Sequence, residues 1–273
     1  MNFLNTTTGE IKSDVIKLLI GADEINSTVR KVLYPNDGPP ICQGLHTWRG
    51  LTSVDKLCLD GRTMICMGNP DTAYFIMYPL NNNLISWACV SRVKQEDTSF
   101  LAPDKSEWTT IGDWKDFLPF IKDMKLDFID IEQIIKSSTV INQFPITDRN
   151  IISQWRFNGV TLIGDAAHSM CPNGGNGASQ CILDAHQLYL SFIHYSINNE
   201  TFQDYENNRR PLTDKFILLA RQYGPDKILK IIDERLPNIS DIISSEEIQS
   251  IIYNYKQTSG QDKYLLNNKD SLS

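Results

Sequence analysis

The stretch GDAAHSMCPNGGNGASQ, residues 164 to 180, gathers an acid, a histidine, two serines, a cysteine, a proline and four glycines into one segment. It follows an apolar run, Val160-Thr161-Leu162-Ile163, and precedes a helical pattern. A strand that ends at Gly164-Asp165 and turns into a helix near Gly177 collects unpaired backbone N–H groups at the positive end of a helix dipole. That setting suits an anionic or electron-rich ligand. Asp165, at the carboxyl end of the strand, can accept from ribose hydroxyls. Gly174, Gly175 and Gly177 carry no Cβ, so a flat ligand can lie close against the backbone. The plain alternative is a glycine-rich connection with nothing bound. The joint presence of Asp165, Pro172 and the three glycines weighs against it.

Other chemistries are weaker here. His168, Ser169 and Asp184 could be read as a hydrolase triad, but no G-x-S-x-G elbow is present and the three do not come from separate elements. Asp165, His168 and His186 lack anything that fixes them as a ligand set, so no metal site is expected. The six cysteines (Cys42, Cys58, Cys66, Cys89, Cys171 and Cys181) contain no C-x-x-C and read as free thiols in a reducing, cytoplasmic setting. A net charge of -7 argues against a nucleic-acid partner. No apolar run approaches the roughly 20 residues of a membrane span, and the N-terminus does not read as a secretory signal.

The elements that must position the loop can be traced outward from it. Val15 to Ile20 reads as a buried strand ending at Gly21, followed by Ala22-Asp23 and a short helix over Ser27 to Leu33. From His46 to Val93 the texture is β: HTWRGLT, RTMICM, AYFIMYP and LISWACVSRV, divided by turns such as Leu59-Asp60-Gly61 and Asn81-Asn82-Asn83. Helical spacing returns in DWKDFLPFIKDM and DFIDIEQIIKSS, and Val140 to Ile146 forms another strand before Trp155 and VTLI. After the loop come a long helix, with Ala178, Cys181, Ile182, Ala185, Leu188 and Phe192 on one side, and a second helix from about Thr201 to Tyr223. Arg209-Arg210-Pro211 on that second helix reads as capping and surface pairing. A polar, frayed tail runs from Asn267.

The fold expected is α/β: a partial Rossmann-like domain interrupted by a mostly antiparallel β-sheet domain, with C-terminal helices. Its segments are 1–36 and 151–225 for the first domain, 37–150 for the β-rich insert, and 226–273 for the closing helices and tail.

GDAAHSMCPNGGNGASQCILDA resembles the second flavin-binding motif of the FAD-dependent aromatic hydroxylases, the group A flavoprotein monooxygenases related to para-hydroxybenzoate hydroxylase. LLIGADEINSTVR resembles that family's other internal motif, usually written Asp-Gly where Asp23-Glu24 stands here. YPNDGPPICQGLHTWRGLT, LDGRTMI, WKDFLPFIKDM, FPITDR and YENNRRP are most similar to the methylphenazine-carboxylate monooxygenases. The resemblance covers nearly everything from Val15 to Tyr223. It implies that Gly164 and Asp165 hold the ribityl or ribose hydroxyls of FAD and that Pro172 lies beside the flavin's reactive edge. Backbone groups of Gly174, Gly175, Asn176, Gly177 and Ala178 would bind the pyrimidine side and the pyrophosphate. Asp23 and Arg30 would stand near the pyrophosphate and the path of NAD(P)H. Trp48, Arg49 and Tyr78 fall on the implied substrate sheet. Such enzymes reduce FAD with NAD(P)H, add O2 to the reduced flavin to make a flavin hydroperoxide, and pass one oxygen atom to a small aromatic substrate; the flavin does the chemistry while the protein orients and excludes water.

Two departures matter. The family opens on a strand, a G-x-G-x-x-G turn and a helix, a unit of roughly 30 residues or more. No such motif occurs here, and the chain is expected to be truncated relative to the family. Glu24 replaces a glycine that the family uses; if that position needs a positive φ, the glutamate carries strain and adds charge near the pyrophosphate. Hence the alternative expectation of a non-catalytic remnant that binds a small aromatic ligand or a partner protein.

Overall fold

A computed structural model describes residues 2–55, 60–92, 110–222, 224–234 and 244–259. Expectations for Cys58, Leu59, Val93, Tyr223 and the tail from Asn267 fall outside the described residues. The chain divides into two units. One is Met1–Gly38 with Arg149–Ser169 and Asn176–Ile217; the other is Pro39–Asp148 with Met170–Gly175 and Leu218–Ser273. The middle of the glycine-rich loop and everything from Leu218 therefore belong with the β-rich unit, where the sequence suggested one continuous segment from 151 to 225.

The first unit opens with a hairpin, β1 (Asn2–Leu4) and β2 (Ile11–Ser13), followed by β3 (Leu19–Gly21) and α1 (Thr28–Leu33). Strand β3 is shorter than the run Val15 to Ile20 promised. Val15 is 97% exposed and Ile16 is exposed as well, with no strand or helix among the described residues covering them. Ser27 caps α1 by accepting from the Arg30 amide.

The second unit carries β4 (Ile41–Ser53), β5 (Ile65–Asn69), β6 (Ala73–Leu80), β7 (Leu84–Arg92) and β8 (Thr110–Ile111), then α2 (Trp114–Ile121), α3 (Ile131–Lys136) and β9 (Ile141–Asp148). Its six strands form an antiparallel sheet in the order β5-β6-β7-β4-β9-β8. Alternation fixes two faces. Trp48, Phe75, Met77, Trp87 and Cys89 point to the face that α2 and α3 cover with Phe117, Ile121, Ile134 and Ile135. Gly50 is required there: a Cβ would stand 2.6 Å from the Trp87 ring. The opposite face presents Tyr74 and Val90 to a smaller cluster with Ile146, Cys171 and Ala220.

The chain returns to the first unit through β10 (Arg156–Phe157), β11 (Val160–Leu162), α4 (Asp165–His168), α5 (Gly177–Tyr195) and α6 (Asn199–Arg221). Strands lie in the order β10-β11-β3, and β11 runs parallel to β3 with Val160 opposite Leu19 and Leu162 opposite Gly21. Thus segments more than a hundred residues apart in sequence build one α/β layer. Trp155, Leu162, Ala166, Leu188, Phe202 and Tyr205 fill its core. A 3-10 turn (Gly224–Asp226), α7 (Lys227–Glu234) and α8 (Ser245–Ser259) follow in the second unit.

Candidate functional site

In the first unit, β11 delivers Gly164 and Asp165 to the start of α4. Gly164 is the N-cap residue, with φ 61, and no side chain caps this short helix. Asp165 is open to solvent, and its carboxylate accepts no hydrogen bond from the described residues. Desolvation by the surrounding protein raises its carboxyl above the usual aspartate range; the nearby His168 ring lowers it and Glu24 raises it again. A helix-capping role for Asp165 is absent. Helix α5 begins at Gly177 after Asn176, also without a side-chain cap, so the Gly177 and Ala178 amides point outward unsatisfied by protein among the described residues.

Glu24 has φ 65, the left-handed conformation that a glycine adopts without cost. Beside it, Asp23 accepts from the Ser27 hydroxyl at 2.5 Å and from the amides of Thr28 and Val29 at 2.6 and 3.1 Å. Burial raises the Asp23 carboxyl, but these donors outweigh it and leave it below its ordinary value. Asp23 thus serves the N-terminus of α1. Arg30 has a structural occupation too. It is 1% exposed, with Nε on Asp37, Nη1 on the carbonyls of Ala166 and Ala167, and Nη2 on the carbonyl of Asn150. A guanidinium so held acts as a strut that ties α1 to the segments around Asn150 and Ala166. Asp37 serves Arg149 as well, at 3.1 Å.

Around Gly164, within the first unit, lies a buried polar cluster. Asp184, on α5, is fully enclosed. One carboxylate oxygen accepts the Gly164 amide at 3.1 Å and touches His168 Nε2; the other takes Arg209 Nε at 2.7 Å. Arg209 also donates to the Gln180 side chain at 2.6 Å. Burial pushes the Asp184 carboxyl up, but the His168 hydrogen bond and the charges of His168 and Arg209 bring it below the usual value. The sequence missed this cluster by placing Arg209 on the surface; only Arg210 pairs there, with Glu206 and Asp214. The i, i+4 spacing of Gln180 and Asp184 on one face of α5 was the available signal. A triad is excluded geometrically, since His168 Nδ1 is buried with no partner and Ser169 does not reach it.

In the second unit, the loop Met170–Gly175 is tied at several points. Cys171 Sγ lies 3.5 Å from Asp148, Asn173 donates to the Ala220 carbonyl at 3.0 Å, and the Tyr74 hydroxyl reaches Asn173 at 3.2 Å. The Gly175 amide donates to the Pro172 carbonyl at 2.8 Å, closing a turn. The Gly175 amide is therefore committed, and among the donors expected from Gly174 to Ala178 it is taken by the loop itself. Gly175 has φ 65 with open space where a Cβ would stand, so its glycine is needed for conformation and leaves room above the backbone.

The substrate candidates separate by face. Trp48 is 2% exposed, donates to Gln143 at 2.8 Å and stacks on Phe117, so it is a core residue and the substrate expectation for it is corrected. Strand alternation sends Arg49 to the other face, where it is exposed; Tyr78 shares that face and is half-buried. An open groove of about 710 Å³ on that face is lined by Arg49, Leu51, Ser86, Asn142 and Phe144 among others. Among the described residues, no three His, Cys, Asp or Glu side chains come together to hold a metal, and no helix is long and apolar enough to cross a membrane.

Residues 2–219 match the family described as FAD binding domain. Among curated proteins, the phenazine 1,6-dicarboxylic acid hydroxylase PhzS of Lysobacter antibioticus is 38% identical over 211 residues, covering 74% of this chain and 50% of that protein. The 3-hydroxybenzoate 6-hydroxylase 2 of Aquipseudomonas alcaligenes is 26% identical over 76% of this chain and 61% of its own length. This chain thus spans between half and two thirds of these two relatives. In structure it is similar to a salicylate hydroxylase substrate complex (TM-score 0.67, 18% identity, 94% of this chain, 65% of that one). It is also similar to Klebsiella pneumoniae HpxO complexed with FAD and uric acid (TM-score 0.63, 17% identity, 97% and 61%). At such identities the likeness establishes the fold alone.

Proposed function

This chain belongs to the FAD binding domain family of group A flavoprotein monooxygenases, and on that premise we propose that it is the flavin- and substrate-binding body of an FAD-dependent, NAD(P)H-using aromatic monooxygenase. One observation carries the reading. The Asp165 carboxylate stands at a strand's end with no donor among the described residues, in the same unit as the uncapped N-terminus of α5. An acceptor for hydroxyls and a set of free amides for phosphate or a ring carbonyl are what this cofactor requires, and the residues fit it.

FAD, when bound, supplies oxygen transfer from O2 using electrons from NAD(P)H. The chain's own residues do the rest. Asp165 accepts from the ribityl or ribose hydroxyls, with Gly164 giving the backbone its turn. Gly177 and Ala178 donate their amides, and Asn176 precedes them as the N-cap. Pro172, Gly174 and Gly175, in the loop of the second unit, are assigned to the flavin by resemblance to the family, as is Asp23 near the pyrophosphate.

Arg49, in the groove, pairs the carboxylate of a planar aromatic acid beside the apolar Leu51 and Phe144, and Tyr78, on the same face, is assigned to the substrate by resemblance to the family. The two relatives, whose printed names carry a dicarboxylic acid and a hydroxybenzoate, support an acidic aromatic substrate. Free thiols at Cys66, Cys89, Cys171 and Cys181 support a reducing, cytoplasmic location.

The test is titration of FAD into the purified 273-residue chain, and into a version extended upstream by a strand, a G-x-G-x-x-G turn and a helix. Quenched flavin fluorescence in at least the extended version is expected; absence of binding in both sinks the proposal. The φ of Glu24 favours a second reading, a non-catalytic remnant that binds an aromatic ligand or a partner protein. It requires aromatic-ligand binding with no NAD(P)H consumption at any FAD concentration, and turnover by either version excludes it.

A further inference from the structure

Helix α4 is a single turn, Asp165–His168, and Gly164 before it offers no side-chain cap. A helix this short does not hold itself together in water. Within it, the Ala167 and His168 amides donate to the Gly164 carbonyl at 2.8 and 2.9 Å. Polar support from other elements of the same unit falls on two sides. From α1, the Arg30 guanidinium donates to the Ala166 and Ala167 carbonyls at 3.3 and 3.1 Å. From α5, one oxygen of Asp184 accepts the Gly164 amide at 3.1 Å and meets His168 Nε2.

We propose that Asp184 is the positioning residue for Asp165. With one carboxylate oxygen it grips the residue before α4 and the residue that ends it, and so fixes the turn from which Asp165 offers its carboxylate to the flavin hydroxyls. The proposal rests on the flavin reading above and adds to it a residue that acts through another.

Three observations carry it. The first is where the grip falls. Gly164 and His168 stand on either side of the flavin acceptor, while the Asp165 carboxylate is exposed and takes no donor from the described residues. Aim is supplied from behind and the acceptor stays open.

The second is the backbone at Gly164. Its φ of 61 and ψ of -141 suit glycine alone, and a Cβ there would stand 3.1 Å from Cys181 Sγ on α5. Glycine loses more freedom on ordering than any other residue, so this turn needs an external hold. Helix α5 approaches closely enough to give one, and Asp184 is the side chain that makes it.

The third is the chemistry of the holder. Asp184 is 0% exposed, and its other oxygen takes Arg209 Nε at 2.7 Å. Packed apolar residues often replace a buried ion pair without loss of stability, so stability alone is a weak reason for these charges. A carboxylate does what an apolar side chain cannot. It accepts a backbone amide and a ring N–H at one point, and those directed bonds define one place for α4.

The test is a double-mutant cycle on FAD affinity, read by flavin fluorescence quenching in the 273-residue chain and in the version extended upstream. Wild type, Asp165→Asn, Asp184→Asn and the double variant are compared. In Asp184→Asn the amide has one acceptor oxygen where the carboxylate had two. The Arg209 cation is the stronger donor and takes it, which turns an NH2 group toward Gly164. FAD affinity should fall roughly tenfold in Asp184→Asn, the lower end of one charge-assisted hydrogen bond. In the Asp165→Asn background the same change should cost less than about twofold, because the carboxylate it aims is already gone. A loss of equal size in both backgrounds overturns the proposal, since Asp184 would then serve the fold as a whole. Unchanged affinity in Asp184→Asn overturns it too.

A second measurement needs no flavin. The backbone order parameter at Asp165, from NMR relaxation of the apo chain, should drop from about 0.85 toward about 0.6 in Asp184→Asn while that of Leu188 on α5 holds. An unchanged value at Asp165 overturns the proposal whatever the titration shows. If no form of either version binds FAD, the flavin reading fails, and this order parameter alone decides whether Asp184 positions Asp165. Should Asp184→Asn not fold, Asp184→Glu keeps the charge beside Arg209 and displaces the oxygen from Gly164 by one methylene. It enters the same cycle with the same expected outcomes.

Discussion

Asp165 and Glu24 are close enough for the charge of one to raise the carboxyl of the other. Replacing Asp165 by Asn keeps the shape and removes a charge-assisted acceptor worth about 1.5–3 kcal/mol, so FAD affinity should fall roughly ten- to a hundredfold. The melting temperature without FAD should hardly move, since no group among the described residues donates to this carboxylate. A drop in the apo melt with unchanged FAD affinity would count against the assignment. Glu24→Gly should relieve the left-handed backbone, a gain of about 1 kcal/mol partly cancelled by glycine's greater freedom when unfolded. It should also lower the Asp165 carboxyl, which carbon NMR of that side chain reads directly. Both residues were legible in the sequence, because a glycine missing from a turn and an acid at a strand's end are local facts. Arg30 was not. Its partners Asn150, Ala166 and Ala167 lie 120 or more positions away, and only the folded chain shows the guanidinium consumed.

At the scale of the element, α5 is the instructive helix. Helical spacing pointed to an apolar side through Cys181, Ile182 and Ala185, yet Ile182 is 70% exposed and the buried positions are Gln180, Asp184, Leu188 and Ser191. The inward face is polar because α6 brings Arg209 to meet it. Hydrophobic periodicity reports burial only where the buried face is apolar, so existence and length of the helix were readable while its orientation was not. Removing Arg209 leaves an uncompensated buried carboxylate: Arg209→Ala should cost about 3–5 kcal/mol in urea unfolding. The pH dependence has a definite sign. Asp184 is held below the unfolded value of 3.8, so its contribution is fully present above that pH and is lost as pH falls through the lower folded value. Asp184→Asn should flatten the acid limb of the stability curve; an unchanged acid limb would refute the assignment.

For the whole molecule, Asp226 acts in the opposite direction. Its carboxyl rises from 3.8 to about 6 on folding, so the stability it contributes is present below the unfolded value and is lost as pH rises through 6. The difference, 6 − 3.8 = 2.2 pH units, corresponds to an upper bound of about 3 kcal/mol. Asp226→Asn should therefore raise the unfolding free energy at pH 7.5, and more so than at pH 4.5; equal effects at both would show the carboxyl untitrated. The α/β class and the antiparallel insert were readable from strand texture and loop position. The assignment of Met170–Gly175 to the second unit was not, since contacts and not sequence order decide it. Strand β3 has a further consequence. It lies at the end of its three-stranded sheet with one edge unpaired among the described residues, and Ile20, Ile16 and Val15 beside it are exposed. An open edge with apolar neighbours is a template for adding another strand. In the test tube that means poor solubility: light scattering should grow with protein concentration, and Ile20→Lys should suppress it without shifting the melt.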